Sequence, residues 1–134
     1  MRLSHVELTV PSGTLTDEFC ADLEQLMVGV LGLRVERAGS TRRYRLPTGQ
    51  AITLNEGESP LQAGGDDHVG IEVEASELDR LLEGCLDLAG RDDRVAFLHV
   101  EDGQPTSIGA GEGRFRTFFV HYLLPVWLQI ESRG

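Results

Sequence analysis

Ser4-His5-Val6-Glu7-Leu8-Thr9-Val10 and Asp67-His68-Val69-Gly70-Ile71-Glu72-Val73 are two versions of one strand, and reading them together decides the fold. In each, apolar residues alternate with polar ones at the period of a half-buried strand: Val6, Leu8 and Val10 point one way, His5, Glu7 and Thr9 the other. A single offset superposes histidine on histidine and apolar face on apolar face, so the chain is an internal repeat.

Working outward from each copy gives the same series of elements. After Pro11-Ser12-Gly13, Phe19, Leu23, Leu26, Met27 and Val30 recur at helical spacing, and Gly32 is placed to cap that helix. Three short alternating runs follow, Leu33 to Ala38, Thr41 to Leu46 and Ala51 to Asn55. The second copy leads into Ser76-x-x-Asp79, which predicts a helix start, with a stripe of Leu78, Leu81, Leu82, Cys85 and Leu86 and a stop at Gly90. Strands are expected at Val95 to Val100, Phe115 to Tyr122 and Val126 to Ser132, with a glycine-rich connection from Glu101 to Gly113. The expected fold is α+β: two βαβββ repeats, at 3–55 and 67–132, joined by a loop at 56–66 within one domain spanning 1–134. The repeats form a concave, mostly antiparallel mixed sheet with its helices outside.

Composition narrows the function. The 134 residues are 40% hydrophobic and 25% charged, which suits one soluble domain. Twelve basic residues against 22 acidic ones give a formal charge of −10, which repels nucleic acid and anionic membranes. No apolar run is long enough to span a bilayer and the N-terminus lacks a signal peptide's apolar stretch, so the expectation is a cytoplasmic protein. Every basic residue is arginine; without lysine, Schiff-base chemistry and a Walker-type phosphate loop are excluded. Cys20 and Cys85 both fall in amphipathic helices without a CxxC spacing and read as small core residues.

Two equivalent histidines suggest a metal. His5 and His68 lie on the polar faces of the opening strands, and Glu131 ends a terminal strand whose Gln129 shares its face. Two imidazoles and a carboxylate make a facial triad suited to Fe(II) or Mn(II) and able to hold Zn(II) or Ni(II). Such an ion binds adjacent substrate oxygens, stabilising an enolate or activating dioxygen. His121, sharing a strand face with Phe119, is the candidate catalytic acid–base; a lyase or isomerase variant would use Glu7, Glu56 or Glu72 instead. Tyr44, Asn55, Trp127 and Gln129 are the candidate substrate-binding residues. The arginines at 42, 43, 45, 114 and 116 read by default as solvated strand faces. Gly109-Ala110-Gly111-Glu112-Gly113 neither follows a strand directly nor opens a helix, so it carries no nucleotide fingerprint.

The repeat, the HV-x-[LI]-x-V strand opening each half and the terminal strand ending in Glu131 resemble the vicinal-oxygen-chelate superfamily, which includes glyoxalases, extradiol dioxygenases and bleomycin- and fosfomycin-resistance proteins. The resemblance covers roughly Leu3 to Ser132 and implies a metal held by His5, His68 and Glu131. It departs from the family at the fourth strand, Ala51 to Asn55, which lacks the glyoxalase acid, and at Tyr122-Leu123-Leu124-Pro125, where many members have an Asp-Pro-Asp-Gly-type turn. The expected function is a metal-dependent enzyme of the glyoxalase or extradiol-dioxygenase type acting on a small organic substrate. The alternative is a metal-free protein that sequesters a cationic drug in an acidic, aromatic-lined groove. A homodimer is expected, closed through sheet edges or through the 122–127 segment.

Overall fold

The computed structural model describes residues 1–103 and 115–133, so most of the glycine-rich connection, including Gly109 to Gly113 and Arg114, lies outside the described residues. The chain divides into two compact units, Met1–Ala63 and Gly64–Gly134. Each builds one four-stranded mixed sheet and carries its helical segment between the first and second strands in chain order.

In the first unit β1 (His5–Pro11) is followed by α1 (Asp17–Glu24), then β2 (Arg34–Ala38), β3 (Thr41–Arg45) and β4 (Ala51–Gly57). The spatial order is β1-β4-β3-β2; β1 runs parallel to β4 and the other pairs are antiparallel. Thr16 starts α1 by accepting the Phe19 amide at 3.1 Å, and Asp17 and Glu18 complement the positive end of the helix. The single four-turn helix expected from the sequence is broken: from Gln25 to Val30 the backbone is π-helical, with Leu31 N bonded to Leu26 O. Val28, Gly29 and Val30 are weak α-formers, and the wider turn lets the consecutive Leu26 and Met27 both be fully buried. Gly32, at φ +70°, ends this segment in the left-handed region, as the sequence suggests.

In the second unit β5 (His68–Glu72), α2 (Ala75–Arg91), β6 (Ala96–Gly103), β7 (Phe115–His121) and β8 (Trp127–Arg133) repeat the pattern, in the order β5-β8-β7-β6. Helix α2 begins one residue before the expected Ser76 cap, with Glu74 at the cap position and no side-chain cap bond. It runs through Gly90, because Leu78, Leu81, Cys85 and Leu88 continue one buried stripe that packs on β8. Phe118, Val120, Leu128 and Ile130 form the opposing apolar layer. Among the described residues no helix is long and apolar enough to cross a membrane.

Candidate functional site

With one sheet face in each unit covered by its helix, the residues available for chemistry are those on the opposite face. In the second unit hydrogen bonds at both ends of β5 and β8 fix their register: Trp127 N donates to Asp67 O at 2.9 Å and Val73 N to Glu131 O at 2.8 Å. His68 therefore stands opposite Trp127, Gly70 opposite Gln129, and Glu72 opposite Glu131. On the next strand Phe119 pairs with Gln129 and Thr117 with Glu131. All of these lie on the face turned away from α2.

The first rows of this face are aromatic. The His121 and Trp127 rings approach to 5.4 Å between centroids, and the His68 ring meets Phe119 edge-on at 5.7 Å and 84°. His68 is exposed, and its Nδ1 donates to the Asp66 carbonyl at 3.2 Å, which leaves Nε2 as the acceptor of the neutral ring. Gly70 matters because it has no side chain: a Cβ built there would lie 3.9 Å from Gln129 Oε1, so the carboxamide has open backbone beside it. The sequence places Phe119 and His121 on one face but gives no sign that Phe119 supports His68.

The expected carboxylate is further away. Glu131 is four register positions beyond the His68–Trp127 pair, about 13 Å along the strands at 3.3 Å per residue. Gln129 is at half that offset. Phe119 meets the His68 ring, Gln129 stands two register positions on, and the carboxylates Glu72 and Glu131 pair two positions further. Two positions along from His68, this unit by itself therefore offers a carboxamide where Fe(II) or Mn(II) would favour carboxylate oxygen. Neither unit by itself brings three or more His, Cys, Asp or Glu side chains of the described residues together as metal ligands.

The first unit holds the remaining candidates. His5 is exposed opposite Ala51, with Nδ1 at 2.9 Å from the Ser4 hydroxyl. Asn55 is committed to its neighbours: its amide donates to Glu7, and Thr41 donates to its carbonyl oxygen at 2.7 Å. Glu56 accepts the backbone amides of Gly13 and Leu15 at 2.6 and 3.1 Å, fixing the turn before α1. Tyr44 lies on the helix-facing side of β3, fully buried, and so is not on the polar face with Asn55. Burial pushes its phenol well above the usual tyrosine range.

Arginine dominates the rest of this face. Glu36 accepts from Arg45 at 2.7 and 3.1 Å, while Arg34 and Arg43 approach the same carboxylate at 3.5 and 3.8 Å. The Arg45 hydrogen bond holds the Glu36 carboxyl down to about 2.

No protein-family model matches the chain, and no curated protein matches it. Solved structures do. A glyoxalase family protein from Bacillus anthracis aligns over 100% of this chain and 96% of its own at TM-score 0.68 and 9% identity. Fosfomycin resistance protein FosX from Listeria monocytogenes, complexed with Mn(II) and sulfate, aligns over 99% and 90% at TM-score 0.64 and 18% identity. A glyoxalase/bleomycin resistance protein from Albidiferax ferrireducens aligns over 98% of both chains at TM-score 0.61 and 16% identity. The chain has the fold of these neighbours. At such identities the likeness extends to architecture and not to reaction.

Proposed function

We propose that a chain with this glyoxalase-type fold binds a small planar organic cation on the His68–Phe119–His121–Trp127 face, in a reaction-free sequestering role that needs no metal. The observation that carries this reading is the arrangement of that face: two aromatic rings and two imidazoles in adjacent rows, followed by Glu72 and Glu131 as paired carboxylates. Aromatic faces attract cations, carboxylates neutralise them, and the chain's formal charge of −10 concentrates them near the surface. Gln129 supplies a hydrogen-bonding amide beside open backbone.

The test uses Trp127, the sole tryptophan of the chain. Titration with N-methylacridinium at low salt should quench its emission to saturation and release heat in calorimetry, and both should weaken as salt rises. Phe119→Ala should weaken binding by about 1 kcal/mol, the typical worth of one aromatic contact. Absence of saturable heat at low salt would overturn the reading.

A second reading, a metal-dependent enzyme of the glyoxalase or extradiol-dioxygenase type, retains His5, His68 and Glu131 as ligands of a divalent ion. Its support is that the Nδ1 atoms of both His5 and His68 are engaged within their own segments, an arrangement that orients imidazoles for ligation through Nε2. Elemental analysis of untagged protein decides between the two: about one metal per chain, lost in His68→Ala, supports the enzyme.

A further inference from the structure

The side of the first unit away from its polar face holds a different kind of site. A groove of about 510 Å³ lies between α1 and the β2–β3 hairpin, lined by Asp17, Cys20, Ala21, Glu24, Arg37 and Arg42. Arg42 is an interior cation: its side chain is only 8% exposed. Nη1 is held by the Gly39 and Thr41 carbonyls at 3.1 and 3.3 Å, which sets the plane of the guanidinium. The other edge is poorly satisfied. Nη2 has Asp17, a fully exposed carboxylate, 3.8 Å away, and Nε is buried with no hydrogen-bond partner.

Two residues along the same face of β3, the Tyr44 hydroxyl is also buried and unpartnered. Among the described residues these are the two buried side-chain polar atoms without a partner, and of the two residues only Arg42 lines the groove. Buried donors are nearly always satisfied, so an unpartnered Nε on an arginine that lines a groove marks a place where a ligand belongs. A guanidinium pinned through Nη1 presents Nε–H and Nη2–H as a parallel pair, the geometry that grips a carboxylate through both oxygens. Glu24 sits in the same groove, bound to Arg37 at 2.9 Å, and its charge disfavours a dianion.

The geometry points to a binding site for a small monoanionic carboxylate at Arg42, with Asp17 as the carboxylate of the chain that the ligand displaces. The site is independent of the His68 face, and its experiment bears only on the first unit. Cys20 lines it beside Arg42: burial pushes its thiol up, and the Arg42 guanidinium partly offsets that rise.

The experiment follows the Arg42 Nε–H resonance of the full ¹⁵N-labelled chain during titration with acetate, ionic strength being held constant with chloride. The expected result is a saturable shift at millimolar acetate. Asp17→Asn removes the competing carboxylate and should tighten binding about two- to fivefold, the range for one exposed ion pair. Phosphate should bind more weakly than acetate. A linear, unsaturable response, an Asp17→Asn affinity equal to that of the parent, or tighter binding of phosphate than acetate would each overturn the assignment.

Discussion

His68 and Glu131 face the same side of one sheet but stand four register positions apart, with Gln129 midway between them. The first prediction follows from that spacing. Glu131→Gln should leave the divalent-metal affinity of the chain unchanged, whereas Gln129→Glu should raise it, because only position 129 brings a carboxylate within two residues of the His68 row. Titration of both variants with Mn(II), followed by paramagnetic relaxation of water, checks this. A loss of affinity in Glu131→Gln and no gain in Gln129→Glu would restore Glu131 as the ligand.

Glu36 predicts an acid-dependent contribution to stability. Its carboxyl is held down to about 2 by the Arg45 hydrogen bond, against 4.5 for the unperturbed group. A group with a depressed folded value favours folding above its unfolded value and loses that contribution as pH falls through the folded one. Glu36→Gln should therefore destabilise the chain above about pH 4.5, with the difference from the parent shrinking between pH 4.5 and 2 and gone below it. Urea unfolding at a series of pH values measures it.

Tyr122 anchors the turn into β8. Its hydroxyl donates to Asp92 Oδ2 at 2.6 Å, Arg94 donates to the same carboxylate at 2.7 Å, and the Arg94 guanidinium lies 5.5 Å from the Tyr122 ring centre. These hydrogen bonds, Arg94 first, hold the Asp92 carboxyl well below the usual range. Tyr122→Phe should cost about 1 kcal/mol, the worth of a partly buried hydrogen bond, and Asp92→Asn should cost less on the Tyr122→Phe background. A double-mutant cycle by denaturant unfolding reads the coupling.

Cys85 gives a probe of opening. It is fully buried on the core stripe of α2, and burial pushes its thiol up to about 12 from 9.0. The thiolate population of the folded chain at pH 8 is then lower by about three orders of magnitude than that of an unperturbed cysteine, and the thiolate is the form that reacts. Iodoacetamide at pH 8 should leave Cys85 unmodified in the folded chain and alkylate it readily in urea, as mass spectrometry of the tryptic peptide would show. Ready labelling without denaturant would mean that α2 detaches from its sheet.

The architecture was legible in the sequence because alternation and helical spacing are local properties, written within each segment. The duplicated His-Val strand, the apolar stripes of both helices and the glycine at position 32 stand in the sequence and recur in the structure with boundaries shifted by a residue or two, except that Leu86, expected in the second stripe, is exposed and Leu88 takes the buried place. Local signals also mislead: Ser76 resembles a cap, yet α2 starts before it, because burying Leu78 on β8 matters more than one capping bond. The π turn after α1 is likewise hidden from local pattern, since it answers the need to bury both Leu26 and Met27.

What the sequence determined by itself was which residues share a face: Glu131 with Gln129, and Phe119 with His121. Register was decided only by the tertiary structure. Period-two alternation is unchanged when one strand slides by two residues against its neighbour, so a polar strand end offers Gln129 and Glu131 as equal partners for His68. The hydrogen bonds from Trp127 and Val73 settle that choice, and packing against α1 turns Arg42 and Tyr44 inward where alternation alone left Arg42 among solvated arginines. Both outcomes depend on contacts between segments far apart in the chain, which no local pattern encodes.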